Sequence, residues 1–322
     1  MVDFSSQELL VFISTPIYIA FILFEIFLGK IQERNWYTLK DTLQNLYLMI
    51  LNSSIEVGIR GIYVWVLVSC WEYRIFEFSH MAAYWTVLLL GIDFLFYWMH
   101  RLEHSVRLFW AVHVTHHSSG KFNFSVGFRS SVFQPLYRFM FFIPLAFLGF
   151  RAVDIALVFS ASQIWGILVH TEMVGKLGWL EKIFVTPSHH RVHHASNPLY
   201  LDKNMGMFLI IWDKIFGTFQ PELPPSVYQP VRYGLTTNKN LHVPFSVVLH
   251  EWQEILADLK KDISWNEKLG YVLGPPGWSH DGSRLTSEQI RAKESERLQS
   301  DAAYNNPDLE ADLASIRLSS RN

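Results

Sequence analysis

Histidine is the residue type whose spacing in this chain suits it for chemistry, and it forms three clusters. They are His100-x-x-x-His104, His113-x-x-His116-His117 and His190-x-x-His193-His194. Residues three and four positions apart lie on one face of a helix, so each cluster presents its imidazoles together. The sequence therefore predicts three groups of nitrogen donors.

These donors predict a metal site. Imidazoles packed together cannot all be protonated, because like charges in a poorly solvated site repel. Neutral imidazole is a common ligand of zinc, copper, iron and nickel. A structural zinc uses about four ligands and a catalytic one about three, so these histidines suffice for two ions. The predicted ligands are His100, His104, His113, His116, His117, His190, His193 and His194.

Three further residues are candidates for an extra ligand or for a supporting role. His170 lies on the same predicted side of the membrane as the boxes and is a candidate for either. His189 lies beside the third box but out of phase with it, which favours a supporting role. Asp93 precedes His100 by about 10 Å along a helix, so it is a candidate to orient a histidine of another box.

Other polar residues near the boxes have less specific signals. Asn123 and Arg129 follow the second box and are candidates for contacting a lipid head group. Glu103 and Glu172 adjoin box residues. For each of them, a role beside the metal site and a simple exposed position fit the sequence equally well. The remaining histidines have no partner at metal spacing and are predicted to be structural or solvated: His80, His242, His250 and His280.

Composition indicates a membrane protein. The chain has 322 residues, of which 27 are basic and 29 acidic, and a net charge of −2 argues against nucleic-acid binding. Hydrophobic residues make up 50% and charged residues 17%, against about 25% charged in soluble domains. The mean hydropathy is +0.15. Cys70 is the single cysteine, which excludes an internal disulfide and a cysteine-based metal cluster.

Apolar stretches predict the elements that position the boxes. A bilayer span needs about 20 mostly apolar residues, and 9–29, 43–71 and 81–99 qualify. The stretch at 134–169 is broken near Gly149, which predicts two short spans joined by a tight turn. The predicted fold is an all-α polytopic membrane bundle of about four to five spans, with a histidine-rich helical cap holding the two metals.

Charge predicts the orientation and the division of the chain. Basic residues favour one side seven to two, which places 30–42, 100–133 and everything after 170 in the cytoplasm. The histidine clusters can meet only if an even number of crossings separates them. We predict an N-terminal span and loop at 1–42 and a membrane catalytic domain at 43–280. The segment 281–322, with 14 charged residues in 42, predicts a polar and flexible tail.

The boxes, in this order and beside membrane spans, resemble those of the fatty acid hydroxylase / sterol desaturase superfamily of non-haem di-iron membrane enzymes. Longer strings are most similar to the alkylglycerol monooxygenase branch. Among them are His113-Val-Thr-His-His-Ser-Ser119 and Thr186-Pro-Ser-His-His-Arg-Val-His-His194. The resemblance covers roughly residues 45–280.

The resemblance implies an enzyme. Its eight box histidines would hold two iron ions, with O2 as co-substrate and an external reductant of the tetrahydrobiopterin, cytochrome b5 or ferredoxin type. The reaction would hydroxylate a C–H bond of a membrane lipid and, beside an ether oxygen, cleave an alkylglycerol. Hydroxylation or desaturation of a sterol or fatty acyl chain is the alternative within the superfamily.

Two other functional classes also use histidines in membrane proteins. A di-haem electron carrier needs pairs of histidines on facing helices at membrane depth. A zinc hydrolase is expected to carry a carboxylate base within its motif, as His-Glu-x-x-His does. For a lipid substrate we expect entry between the spans near head-group level. Trp98, Trp110 and Trp165 are candidates to line that entrance, and a position in the aromatic belt or in the core fits them equally well.

Overall fold

The computed structural model describes residues 5–237 and 244–305, and helices dominate it. Over these residues, β-structure is limited to two isolated bridges, which join Phe184 to Leu209 and Ala195 to Tyr233. The predicted all-α fold is confirmed. His242 and residues 306–322 lie outside the described residues.

Three helices are long and apolar enough to cross a membrane. They are α1 (Ser5–Ile31), α2 (Leu39–Glu72) and α3 (Met81–Ser105). The hydroxyl of Thr38 caps α2 by accepting a hydrogen bond from the Asp41 amide at 3.3 Å. Apolar side chains such as Phe12, Trp65 and Met81 remain exposed on the outer faces. The chain is a membrane protein.

Two shorter apolar helices follow, α5 (Pro135–Phe147) and α6 (Ala152–Leu168). The turn between them contains Gly149 at φ 105°, where a Cβ would lie 2.3 Å from the Phe76 carbonyl oxygen. The predicted break in this stretch is therefore present. The number of membrane crossings stays a prediction.

The apolar core lies between the long and the short helices. Helix α2 packs on α5, and α3 packs on both α5 and α6. Fully buried side chains at the centre of this core come from α2, α3, α5 and α6: Leu67, Leu88, Ile92, Met99, Phe142 and Ile155. This packing fixes the end of α3 from which two of the histidines project.

Short helices form a cap over that end. They are α4 (Arg107–His117), α7 (Pro187–His193), α8 (Ile211–Ile215), α9 (Pro244–Leu259) and α10 (Trp265–Leu273). Arg107 is only 3% exposed and donates to Glu251 at 2.7 Å and to Asp258 at 2.6 Å. These charge-assisted hydrogen bonds attach α4 to α9.

The last described helix, α11 (Ser287–Asn305), lies in the predicted tail. Its Leu298 is 8% exposed and belongs to a buried cluster with Tyr200 and Tyr228. Arg291 donates to the Leu201 carbonyl at 2.6 Å. This part of the segment packs on the cap, unlike the solvated piece expected from its charge. The three-part division of the chain stays a prediction.

Candidate metal centre

Four segments bring nine histidines together at the junction of the bundle and the cap. Helices α3, α4 and α7 present the three boxes, and a ninth histidine follows the end of α6. The nine are His100, His104, His113, His116, His117, His170, His190, His193 and His194. All eight predicted ligands are present, and His170 joins them.

The nine imidazoles divide into two clusters, within each of which the ligand atoms lie within 4.8 Å of one another. The five-histidine cluster contains His100, His104, His113, His117 and His193. The four-histidine cluster contains His116, His170, His190 and His194. The sequence predicted two metal positions but not this division.

The spacing of the histidines along each helix divides them between the two clusters. His113 and His117 are four residues apart and face one cluster, whereas His116 projects into the other. On the α7 segment, His190 and His194 share a cluster and His193 faces the opposite one. Two short helices thus hold the clusters side by side.

Backbone carbonyls orient the rings. In four of the histidines, Nδ1 lies 2.6–3.0 Å from a backbone carbonyl oxygen. The pairs are His100 with Met205, His116 with Arg129, His170 with Gly166, and His193 with Lys203. A carbonyl only accepts hydrogen bonds, so each of these Nδ1 atoms carries the proton. The Nε2 atom of each ring then keeps its lone pair for a metal.

Contacts between Nε2 atoms test whether a metal fits. Nε2 of His100 lies 3.0 Å from that of His113, and Nε2 of His170 lies 2.9 Å from that of His190. Two unprotonated nitrogens repel, and a cation between them removes the repulsion. Neighbouring ligands at about 2.1 Å from one ion at right angles are about 3.0 Å apart. The residues therefore fit a metal in each cluster.

Burial keeps the rings neutral. Desolvation, with repulsion from neighbouring imidazoles, lowers the pKa of His113, His117 and His193 well below the usual value. Desolvation lowers the pKa of His116 to about 4. Neutral imidazoles are the form that binds metals.

Two carboxylates contact histidines of the five-histidine cluster. Glu103 Oε2 lies 3.2 Å from His113 Nδ1, and Asp202 Oδ1 lies 3.1 Å from His104 Nδ1. Glu103 is fully buried, whereas its position beside a box residue fits an exposed side chain equally well. Helical spacing alone could have indicated this contact, because Glu103 lies three residues after His100 on the same face of α3.

The family comparison agrees with this arrangement. Residues 85–218 match the family model described as fatty acid hydroxylase. The chain carries a fatty acid hydroxylase domain. That range includes all nine histidines of the two clusters.

Relatives with curated names cover more of the chain than this domain. The chain is 36% identical to alkylglycerol monooxygenase of Xenopus tropicalis over 249 residues, which are 77% of this chain and 54% of the relative. With the Homo sapiens alkylglycerol monooxygenase the identity is 37% over 287 residues, 86% of this chain and 62% of the relative. Ornithine lipid hydroxylase OlsE of Rhizobium tropici is 33% identical over 146 residues, 45% of this chain and 44% of the relative.

The chain therefore spans between 54% and 62% of the length of the two alkylglycerol monooxygenases. No solved structure matches.

Asp93 and His189 support the fatty acid hydroxylase domain differently from the prediction. The Asp93 carboxylate accepts hydrogen bonds from the amides of Phe208 and Leu209 at 3.0 Å, and so fixes the loop before α8. His189 Nδ1 lies 3.4 Å from the Thr186 amide and caps α7. The hydrogen bonds of both side chains go to the protein scaffold, and neither residue belongs to a histidine cluster.

Arg129 and Asn123, the candidates for head-group contact, are both 1% exposed, and a head-group contact stays a prediction. Arg129 donates to the Thr115 carbonyl at 2.9 Å and to Asn45 at 2.7 Å. Asn123 donates to the Trp36 carbonyl at 2.6 Å. The loop after the second box folds inward, so Arg129 joins it to α2 and Asn123 joins it to the segment that precedes α2.

Two cavities reach the clusters of the hydroxylase domain from different sides. A cavity of about 550 Å³ is lined by His104, His117, His193 and His194, together with Trp110. A smaller one of about 120 Å³ is lined by His100, His113, His116, His170 and His190. The two share no histidine, so the clusters separate them.

Of the tryptophans predicted to line an entrance, only Trp110 lines either of these cavities, and its ring centroid lies 5.2 Å from that of His104. Trp98 packs against Phe216, and Trp165 donates to the Val185 carbonyl at 2.9 Å.

Proposed function

We propose that this chain is a membrane-bound di-iron oxygenase that hydroxylates a C–H bond of a lipid. The paired histidine clusters carry the proposal, because their nitrogen spacing suits two adjoining ions. The family match and the relatives support it, since two of those relatives are named for alkylglycerol and ornithine lipid. Iron fits better than zinc, because zinc has no redox chemistry.

Two iron ions held in these clusters would supply the activation of O2 that attack on an unactivated C–H bond requires. One oxygen atom would enter the C–H bond and the other would leave as water, which needs two electrons and two protons from an external donor. The chain contributes rigid ligands, since carbonyls fix the rings of His100, His116, His170 and His193. Burial of the clusters limits access by bulk water.

The large cavity indicates the polar end of the substrate. Its volume of about 550 Å³ lies in the range of small-molecule sites, about 300–1,000 Å³. Charged residues on its described wall are Arg107, Asp202, Glu251, Glu254 and Arg284. Arg107 already donates to Glu251 at 2.7 Å, and Arg284 donates to Asp258 at 2.7 Å.

The wall carries three carboxylates, and both of its arginines already pair with carboxylates. An anionic head group would therefore be repelled by the negative charge of this wall. A neutral, hydroxylated head group fits. This favours alkylglycerols over free fatty acids. Hydroxylation of the carbon beside the ether oxygen would give a hemiacetal, which collapses to a fatty aldehyde and glycerol.

The test is oxygen incorporation by the purified full chain in detergent, loaded with iron and reduced by a pterin or a ferredoxin system. Alkylglycerol, fatty acid and sterol are supplied in parallel under labelled O2. We expect fatty aldehyde from alkylglycerol, loss of turnover in His190→Ala, and retained turnover in His280→Ala. His280 contacts Tyr271 rather than either cluster.

Label in a fatty acid or sterol instead would reject alkylglycerol as the substrate while retaining the lipid oxygenase. No label in any lipid, with iron bound and reduced, would contradict the proposed function.

A further inference from the structure

Glu103 is a buried carboxylate at the five-histidine cluster. It has no exposed surface. Its Oε1 accepts hydrogen bonds from Gln134 Nε2 at 2.8 Å and from the Tyr137 hydroxyl at 2.5 Å. Its Oε2 is buried without a hydrogen-bond partner among the described residues and lies 3.2 Å from His113 Nδ1, which is itself 3.1 Å from the Ser131 hydroxyl oxygen. The carboxylate is thus held on one oxygen and directed at a ligand with the other.

Polar contacts continue from Glu103 to a cation. Gln134 Oε1 accepts from Arg138 at 3.4 Å, and Arg138 pairs with Glu56 at 2.5 Å. The series joins α3, α5 and α2 within the apolar bundle. A polar series inside a membrane bundle is costly unless its members satisfy one another. This arrangement keeps an otherwise isolated carboxylate beside His113.

The four-histidine cluster lacks such support. Its His116 and His170 direct Nδ1 at the carbonyls of Arg129 and Gly166. In the described part of the chain, the histidine–carboxylate pairs at the clusters are those of Glu103 and Asp202, and both involve the five-histidine cluster. An imidazole whose Nδ1 hydrogen is accepted by a carboxylate donates its Nε2 lone pair to a metal more strongly than one whose Nδ1 hydrogen is accepted by a neutral carbonyl.

We propose that Glu103 is a positioning residue whose unpartnered Oε2 shares the Nδ1 hydrogen of His113 with the Ser131 hydroxyl and thereby makes the two metal positions chemically unequal. It directs His113 Nε2 at the five-histidine cluster and strengthens its bond to the metal held there. The metal at this cluster is then the more electron-rich of the two. The inference rests on the metal centre of the proposed function but not on its substrate.

Cobalt(II) provides the test, because its visible absorption reports binding without turnover. The metal-free full chain is titrated in detergent, and we expect two binding steps. The variant His116→Ala removes a ligand of the four-histidine cluster and so identifies that cluster's step. Glu103→Gln keeps the size of the side chain and an acceptor for Tyr137. It should weaken the five-histidine step about 10–100-fold and shift its absorption band, and it should leave the other step unchanged.

Two further variants complete the design. Glu77→Gln is the matched control, because Glu77 is exposed and pairs with Arg74 far from the clusters. Asp202→Asn tests the same inequality through His104 and should weaken the same step, which keeps the proposal testable if Glu103→Gln fails to fold.

Equal weakening of both steps, or of neither, by Glu103→Gln or Asp202→Asn would overturn the inference. Absence of cobalt binding in the unmodified chain would instead contradict the metal centre itself.

Discussion

Each imidazole at this centre has two nitrogens with different tasks, and sequence spacing specifies neither. Nδ1 of His100 points to the Met205 carbonyl and that of His104 to Asp202, although both rings belong to one box. Because the group bound at Nδ1 sets how strongly Nε2 donates its lone pair, neighbouring imidazoles of one cluster would bind a metal unequally. Spacing predicts which residues meet, whereas the group bound at Nδ1 depends on distant loops.

His170 is the ligand candidate that spacing could not assign. Its Nε2 lies 2.9 Å from His190 Nε2 and 3.1 Å from His194 Nε2. We expect His170→Ala to lower the bound iron from two ions toward one and to abolish turnover, because the four-histidine cluster would keep three nitrogens. Metal analysis of the purified variant measures this. His80→Ala should retain both ions, since His80 is exposed and lies outside both clusters. Two ions retained in His170→Ala would exclude a ligand role.

The eight box histidines could be predicted because helical spacing is a local property. Arg129 and Asn123 could not be interpreted from sequence, because whether a loop faces lipid or folds inward depends on what packs over it. Here Asn45 on α2 accepts from Arg129 at 2.7 Å, which holds the arginine in the interior. The role of Glu103 likewise depends on tertiary packing, because its partners Gln134 and Tyr137 come from the start of α5 and the residue before it.

Among the elements, the α5–α6 hairpin was predictable in outline because glycine marks its turn. The structure adds the reason, which is the positive φ of Gly149 together with the close approach of the Phe76 carbonyl. Helix α11 was the less predictable element. Ile290 and Leu298 are eight residues apart and share one helical face, but a charged composition obscures two apolar positions. Packing of that face on the cap explains why the helix is not a free tail.

Gly149→Ala should destabilise the hairpin. The added Cβ would lie 2.3 Å from the Phe76 carbonyl oxygen at a φ of 105°, and strained backbone of this kind costs on the order of 1–3 kcal/mol. We expect a melting temperature several degrees lower in detergent. Gly58→Ala is the matched control, because a Cβ there meets no atom within 4 Å and alanine favours a helix. Equal melting temperatures for the two variants would show that the turn tolerates a side chain.

For the whole molecule, the two clusters draw their histidines from α3, α4, the α7 segment and the end of α6, so these segments meet at one end of the bundle. The same requirement predicts an even number of crossings between the boxes. Length and composition identify α1, α2 and α3 as able to span a membrane. They do not decide whether the shorter α5 and α6 cross it, because 13 and 17 residues are at or below the usual range of about 17–25.

Cysteine labelling of sealed vesicles tests the topology directly. In a Cys70→Ala background, Lys40→Cys and Ser226→Cys should react from the same face, which the excess of basic residues assigns to the cytoplasm. Glu77→Cys, in the exposed segment between α2 and α3, should react only from the opposite face. All three positions are exposed, so differences in labelling reflect the membrane rather than burial. If positions 40 and 226 react from opposite faces, an odd number of crossings separates them, and the even-crossing topology is wrong.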